Sequence, residues 1–231
     1  MIIVKIHQGL GNQLFQYALA RKMSLKNKDI FKLDISSYTA MGSDTPREYS
    51  LKHFNIIENI ATPEEVRRIK LPYGILSSVY RWFEKHVLRV FNIEFKPEIL
   101  NKKGDMYLDG LWQSEKYFSD IREVLIKEFS LKQPLGGEAT SIAEQIKKTP
   151  NSVSLHVRRG DYVYNPISNA YLGTCSLAYY VDALTFLKKR LETCAVFVFS
   201  DDLEWVKTHM VFDVPVIFVS NLNIADYEEL V

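Results

Sequence analysis

Three short runs of this 231-residue chain carry side chains whose types and spacing could do chemistry. The first is His156-Val157-Arg158-Arg159-Gly160-Asp161-Tyr162. On a strand with a period of two, His156 and Arg158 leave on one face while Leu155 and Val157 take the other. An arginine at a strand end offers a rigid fork matched to phosphate oxygens, and Gly160 lets the backbone turn tightly or approach a ligand. The run predicts a diphosphate site with Arg158 as its ligand. For Arg159 and Asp161 the plainer expectation is an ion pair closing the turn, and for His156 a satisfied buried imidazole.

The second run is Gly9-Leu10-Gly11-Asn12-Gln13, between a short apolar strand and a helix. Ligands of α/β sheets bind at the carboxyl ends of strands, and exposed N–H groups at a helix start suit anions. A dinucleotide fingerprint would need a third glycine where Leu14 stands, so the groups offered to a polar ligand are the amides of Asn12 and Gln13. The alternative is a glycine turn with Asn12 as helix cap. The third run is Phe199-Ser200-Asp201-Asp202-Leu203-Glu204-Trp205. Ser200 or Asp201 could cap the next helix with Glu204 completing a capping box, and the carboxylates could also accept from a ribose or a guanine edge. No D-x-D triplet, H-E-x-x-H or His/carboxylate cluster suited to a divalent cation occurs in the sequence, so arginines and helix dipoles must neutralise a leaving phosphate and no metal or other cofactor is expected.

These runs need strands and helices to position them. Ile2 to Ile6 is apolar and β-branched and is stopped by Gly9 and Gly11; helical spacing follows from Gln13, and Ile30 to Asp34 is the next strand, a βαβ opening. Thr62-Pro63-Glu64-Glu65 is a helix start, 75–91 an aromatic and cationic packing helix, Met106 to Leu108 a strand and Ser119 to Phe129 a helix. Gln133 to Gly137 is the linker candidate. After it, helices at Ser141–Lys148, Ala178–Leu191 and Asp202–Met210 alternate with strands at Ser152–Val157, Ala195–Phe199 and Val214–Val219. The expected class is α/β in two domains, 1–135 and 136–231.

Composition narrows the partners. Lys and Arg total 29 against 28 Asp and Glu, a formal charge of +1, which gives no global attraction to nucleic acid or an anionic membrane. With 47% hydrophobic and 25% charged residues the chain can bury a core. Cys175 and Cys194 have neither disulfide-framework nor zinc spacing. No apolar run approaches the ~20 residues that cross a bilayer, and the start lacks a signal-peptide pattern, so a cytoplasmic protein, at most peripheral to a membrane, is expected.

Together with His7-Gln8-Gly9-Leu10-Gly11-Asn12-Gln13-Leu14-Phe15-Gln16-Tyr17-Ala18, the first run (His156 to Tyr162), the third run (Phe199 to Trp205) and the stretch Trp112-Gln113-Ser114-Glu115-Lys116-Tyr117-Phe118 resemble the bacterial α-1,2-fucosyltransferases of glycosyltransferase family 11, in that family's order and over essentially the whole chain. The H-x-R-R-G-D motif is shared with α-1,6- and protein O-fucosyltransferases. The resemblance implies a GT-B-like pair of Rossmann-like domains with the active site between them, GDP-fucose as donor, a galactose-containing oligosaccharide as acceptor, inversion and no metal, in glycan or surface polysaccharide synthesis. By matched position it implies that Arg158 contacts the β-phosphate, that His156 helps hold the nucleotide and that Asn12 lines the cleft; Gly9, Gly11, Arg159, Asp161, Ser200, Asp201 and Asp202 fall in donor-binding segments.

Three departures stand out. The family's double glycine before Leu10 is Gln8-Gly9, and its His-Gly near Cys175 is Leu172-Gly173. The family also continues past the position of Val231, so an incomplete C-terminal domain with Ile217, Val219 and Leu230 exposed is expected, and the alternative function is a truncated, non-catalytic nucleotide-sugar binder. For the base that takes the acceptor proton, Asp34, Asp109, Glu115 and Asp161 are equally eligible by chemistry.

Overall fold

The computed structural model describes residues 1–38, 47–70, 95–166, 169–170, 173–222 and 224–231; the helix expected over 75–91 lies outside them. The chain divides into two compact units, Met1–Gln133 and Pro134–Val231.

In the first unit, β1 (Ile2–Lys5) is the middle strand of a parallel sheet, between β2 (Phe31–Asp34) and β3 (Met106–Leu108). Ile2 stands opposite both Phe31 and Met106. Ile2, Ile3 and Val4 are wholly buried, which is why β1 reads as an unbroken apolar run rather than an alternation. Helix α1 (Leu10–Asn27) joins β1 to β2 and buries Tyr17, Leu19 and Met23. It begins three residues before the apolar spacing suggests, with extended Gly9 as its N-cap. Its first turn is polar and small, so periodicity does not reveal it. Helix α2 (Pro63–Lys70) starts where expected and is closed by a capping box: the Glu65 amide donates to Thr62 Oγ1 at 3.2 Å and the Thr62 amide to Glu65 Oε2 at 2.9 Å. The helix expected over Ser119–Phe129 is a 3-10 turn, Ser119–Ile121, followed by α3 (Arg122–Glu128).

The second unit has a parallel sheet in the order β4 (Ser152–Val157), β5 (Ala195–Ser200), β6 (Val216–Phe218). Its helices among the described residues include α4 (Gly137–Lys148), α5 (Gly160–Tyr164), α6 (Leu177–Lys188), α7 (Leu203–His209) and α8 (Asp226–Glu229). The period of two along β5 divides the core: Val196 and Val198 pack with Leu155, Val157, Tyr180 and Val206, while Ala195 and Phe197 pack with Val219, Ile142 and Ile146. The exposure expected at Val219 and Ile217 is therefore corrected, since Val219 is buried in this second cluster and Ile217 packs against it; Leu230 is exposed. The α/β class and the parallel strands agree with the sequence expectation.

Candidate functional site

Parallel pairing brings two of the motifs together. Val157 at the end of β4 stands opposite Ser200 at the end of β5, so the residues that follow each strand leave side by side. Arg158 Nη1 lies 2.9 Å from Asp201 Oδ2, and Arg159 Nε lies 3.1 Å from Asp202 Oδ2. Asp201 Oδ1 also accepts the Arg159 backbone N–H at 2.8 Å. Gly160 is needed here for space: a Cβ would stand 2.6 Å from Asp201 Oδ2. The glycine admits a carboxylate rather than making a left-handed turn.

The arginines differ in setting. The Arg159 guanidinium lies 4.0 Å above the centroid of the Trp205 ring, which is itself stacked on His209, and its side chain is 19% exposed. Arg158 is 34% exposed and lies over Tyr162 at 5.4 Å, so it is the better placed of the two to meet a ligand. His156 is exposed on β4 between buried Leu155 and Val157, which corrects the expectation of a buried imidazole: the alternation turns it away from the core. Asp161 lies in α5, with its side chain outside the described set.

The cap of α7 is Asp202, whose Oδ1 accepts the Trp205 N–H at 3.1 Å; this corrects the expectation of Ser200 or Asp201 as cap with Glu204 closing a box. The reason is that both earlier residues are otherwise held. Ser200 Oγ donates to the Val157 carbonyl at 2.8 Å and accepts from the Asp202 amide at 2.9 Å, while Asp201 holds the arginine turn. Glu204 instead faces Lys207.

In the first unit, Asn12 is not a cap, because α1 already begins at Leu10. Its Nδ2 donates to Gln8 Oε1 at 2.8 Å and its Oδ1 accepts from Gln113 Nε2 at 2.6 Å, an exposed run of three amides beyond the ends of β1 and β3. A Cβ on Gly9 or Gly11 would meet nothing within 4 Å, so both glycines leave open space at the helix start. Gln13 departs from expectation. It is wholly buried, donating to the Gln8 and Glu48 carbonyls and accepting from the Ser50 and Leu51 amides, so it braces the loop and offers nothing to a ligand.

Gln8 occupies the left-handed region with φ 68°, at the position where the family resemblance expects glycine. A non-glycine residue there costs about 1 kcal/mol. Gln8→Gly should raise the stability of the unit by up to about 1 kcal/mol, less the weight of one exposed amide contact. A lower urea midpoint for the variant would contradict this.

Of the four carboxylates eligible as base, Asp34 is committed to structure. It accepts from Tyr107 Oη at 2.5 Å and the Ser36 amide at 3.1 Å, with Lys70 at 3.8 Å. Burial pushes its pKa up, but these partners outweigh that and hold it below the usual carboxylate value. Glu115 is exposed in a 3-10 turn, and Asp109 stands beside Lys5 at 3.3 Å.

The profile of glycosyl transferase family 11 matches residues 51–221. The α-1,2-colitosyltransferase of Escherichia coli is 33% identical over 218 residues, covering 90% of this chain and 71% of the relative. The O-antigen biosynthesis glycosyltransferase WbnK of Escherichia coli is 27% identical over 245 residues, covering 96% of this chain and 79% of the relative. Human galactoside α-(1,2)-fucosyltransferase 1 is 30% identical over 110 residues, 45% of this chain and 30% of the relative. Among solved structures, the fucosyltransferase NodZ from Bradyrhizobium matches with a TM-score of 0.53 at 11% identity, covering 99% of this chain and 84% of that one. NodZ α-1,6-fucosyltransferase soaked with GDP-fucose matches with 0.51 at 13% identity, covering 94% and 77%. At such identities these structures speak for the fold alone.

Proposed function

This chain belongs to glycosyl transferase family 11, and from that premise we propose that it moves fucose from GDP-fucose to a galactoside hydroxyl in α-1,2 linkage, with inversion and without a metal. The observation that carries the reading is Arg158, held at the carboxyl end of β4 by Asp201 within the H-x-R-R-G-D run. In such a transfer the bond from the anomeric carbon to the diphosphate breaks, the hydroxyl oxygen bonds to the opposite face of that carbon and gives up its proton to a carboxylate base or to the departing phosphate, and negative charge grows on the departing phosphate oxygen. A guanidinium set at that oxygen strengthens its hydrogen bonds as the charge grows, which lowers the barrier rather than merely tightening binding. Asp201 orients the fork beforehand, so little reorganisation is left for the moment of reaction.

The test is GDP titration by calorimetry, followed by turnover with GDP-fucose and lactose and determination of the product linkage by NMR. Binding with α-1,2 transfer is expected. Binding without transfer would favour the non-catalytic reading, and no binding of GDP would defeat both. Turnover should survive excess EDTA; loss restored by manganese would overturn the metal-free part.

A second donor is favoured by one observation, the 33% identity to an α-1,2-colitosyltransferase. Colitose differs from fucose by one missing hydroxyl, and a site that hydrogen-bonds that hydroxyl discriminates strongly against its absence. The ratio of kcat/KM for the two GDP-sugars decides. The same reading places the enzyme in the cytoplasm, at most peripheral to a membrane; no helix among the described residues is long and apolar enough to cross one.

A further inference from the structure

We propose that the first unit carries a saccharide-recognition site at the carboxyl ends of β1 and β3, in which Trp112, His7 and Asp109 hydrogen-bond the hydroxyls of a neutral hexopyranose. This rests on the transferase reading above and names where the acceptor sugar is recognised.

Two buried polar atoms at this end of the sheet have no hydrogen-bond partner, His7 Nε2 and Trp112 Nε1. Both residues gather on Gly110. His7 is tied to it through the Gln16 amide, and a Cβ on Gly110 would lie 2.8 Å from Trp112 Cε2 and 3.2 Å from its Nε1. Buried Gln16 fixes the spacing from below: its Oε1 accepts the His7 N–H at 3.0 Å and its Nε2 donates to the Gly110 carbonyl at 3.2 Å. Trp112 itself stands in the left-handed region with φ 57°, where a bulky residue is strained, and is kept there by the Ser114 amide on its carbonyl at 2.7 Å and by edge packing on Tyr117. A strained backbone and two unpaired buried atoms are costs that a purely structural turn has no reason to keep.

The polarities say what would satisfy them. An indole N–H only donates. Burial together with the Lys5 charge holds the His7 imidazole below its ordinary pKa, so it is neutral near pH 7 and its Nε2 donates or accepts according to the tautomer. A sugar hydroxyl both donates and accepts, so its chemistry suits either atom. Asp109, with Oδ1 3.9 Å from His7 Nε2, adds an anionic acceptor at the exposed rim. A neutral imidazole beside a carboxylate disfavours phosphate, so the site selects the uncharged sugar and not the nucleotide.

The experiment measures acceptor KM, kcat and GDP affinity in the full chain for Trp112→Phe, His7→Phe and Asp109→Asn, with direct titration of methyl β-D-galactopyranoside followed by tryptophan fluorescence. Acceptor KM should rise tenfold or more in each variant while GDP affinity stays within twofold. Acceptor KM unchanged in an active protein overturns this site alone, and so does a parallel loss of GDP affinity. If the wild type neither binds GDP nor transfers, the transferase reading fails, while the galactoside titration still decides the site. Asp109 is 40% exposed, so Asp109→Asn remains a folded probe should either aromatic variant misfold.

Discussion

Replacing Arg158 with alanine is expected to cut fucose transfer by about 100- to 1000-fold, equivalent to about 3–4 kcal/mol of transition-state stabilisation, while the fold persists. The fold should persist because the other contacts of the turn do not pass through this side chain. Asp201 keeps the Arg159 backbone N–H, Arg159 keeps Asp202 and Trp205, and Ser200 keeps the Val157 carbonyl. What is lost is a charged donor at a growing anion. Arg158→Lys restores the charge without the planar fork, so it should recover part of the rate and leave kcat below wild type. Arg159→Ala should show the opposite signature, a lower melting temperature first and lower activity as its consequence, since its guanidinium joins the α7 cap to the Trp205 ring. Steady-state kinetics beside thermal unfolding separate the two. An Arg158→Ala enzyme within threefold of the wild-type rate would remove Arg158 from the chemistry.

That contrast marks where sequence reasoning reaches. The strands were legible because their burial leaves a linear trace: β1 is apolar from Ile2 to Val4 as a middle strand, and β4 alternates because Leu155 and Val157 alone of its last four residues face the core. The helix start at Thr62-Pro63-Glu64-Glu65 was legible because its whole signal lies within four residues. Long-range partners leave no such trace. Asp202, rather than its neighbours, caps α7 because groups from the end of β4 claim those neighbours: the Val157 carbonyl takes Ser200, and Arg158 with the Arg159 amide takes Asp201. Gly160 was visible as a glycine, yet its reason is the Asp201 carboxylate from another strand end. Gln8, Gln113 and Trp112 carried no local signal beyond their types, since the amide run and the backbone strain exist only once β1 and β3 lie side by side.

Gln13 is the sharpest case, and Gln13→Leu is expected to destabilise the first unit by about 3–5 kcal/mol. The side chain is wholly buried and uses both ends of its amide. Nε2 donates to the Gln8 carbonyl at 3.0 Å and the Glu48 carbonyl at 2.8 Å; Oε1 accepts the Ser50 amide at 2.9 Å and the Leu51 amide at 3.3 Å. Leucine fits the volume roughly but pairs with none of them. The Gln8 carbonyl retains Tyr38 Oη at 2.8 Å, so its loss is softened. The two amide N–H groups are the larger cost, at about 1–3 kcal/mol each when left buried and unpaired. Because a domain has only about 5–15 kcal/mol in hand, a loss of this size removes a large share of the population at physiological temperature. The adjacent Asn12→Ala should behave in the reverse way, since Asn12 bonds only to the exposed amides of Gln8 and Gln113: stability within about 0.5 kcal/mol of wild type and an effect confined to activity. Urea unfolding of the two variants, with turnover measured on each, sets neighbours of similar chemistry against one another. A Gln13→Leu protein within about 1 kcal/mol of wild type would mean that the loop satisfies its backbone by rearrangement, and that the buried glutamine is not what holds Gln8 and the glycine turn in place.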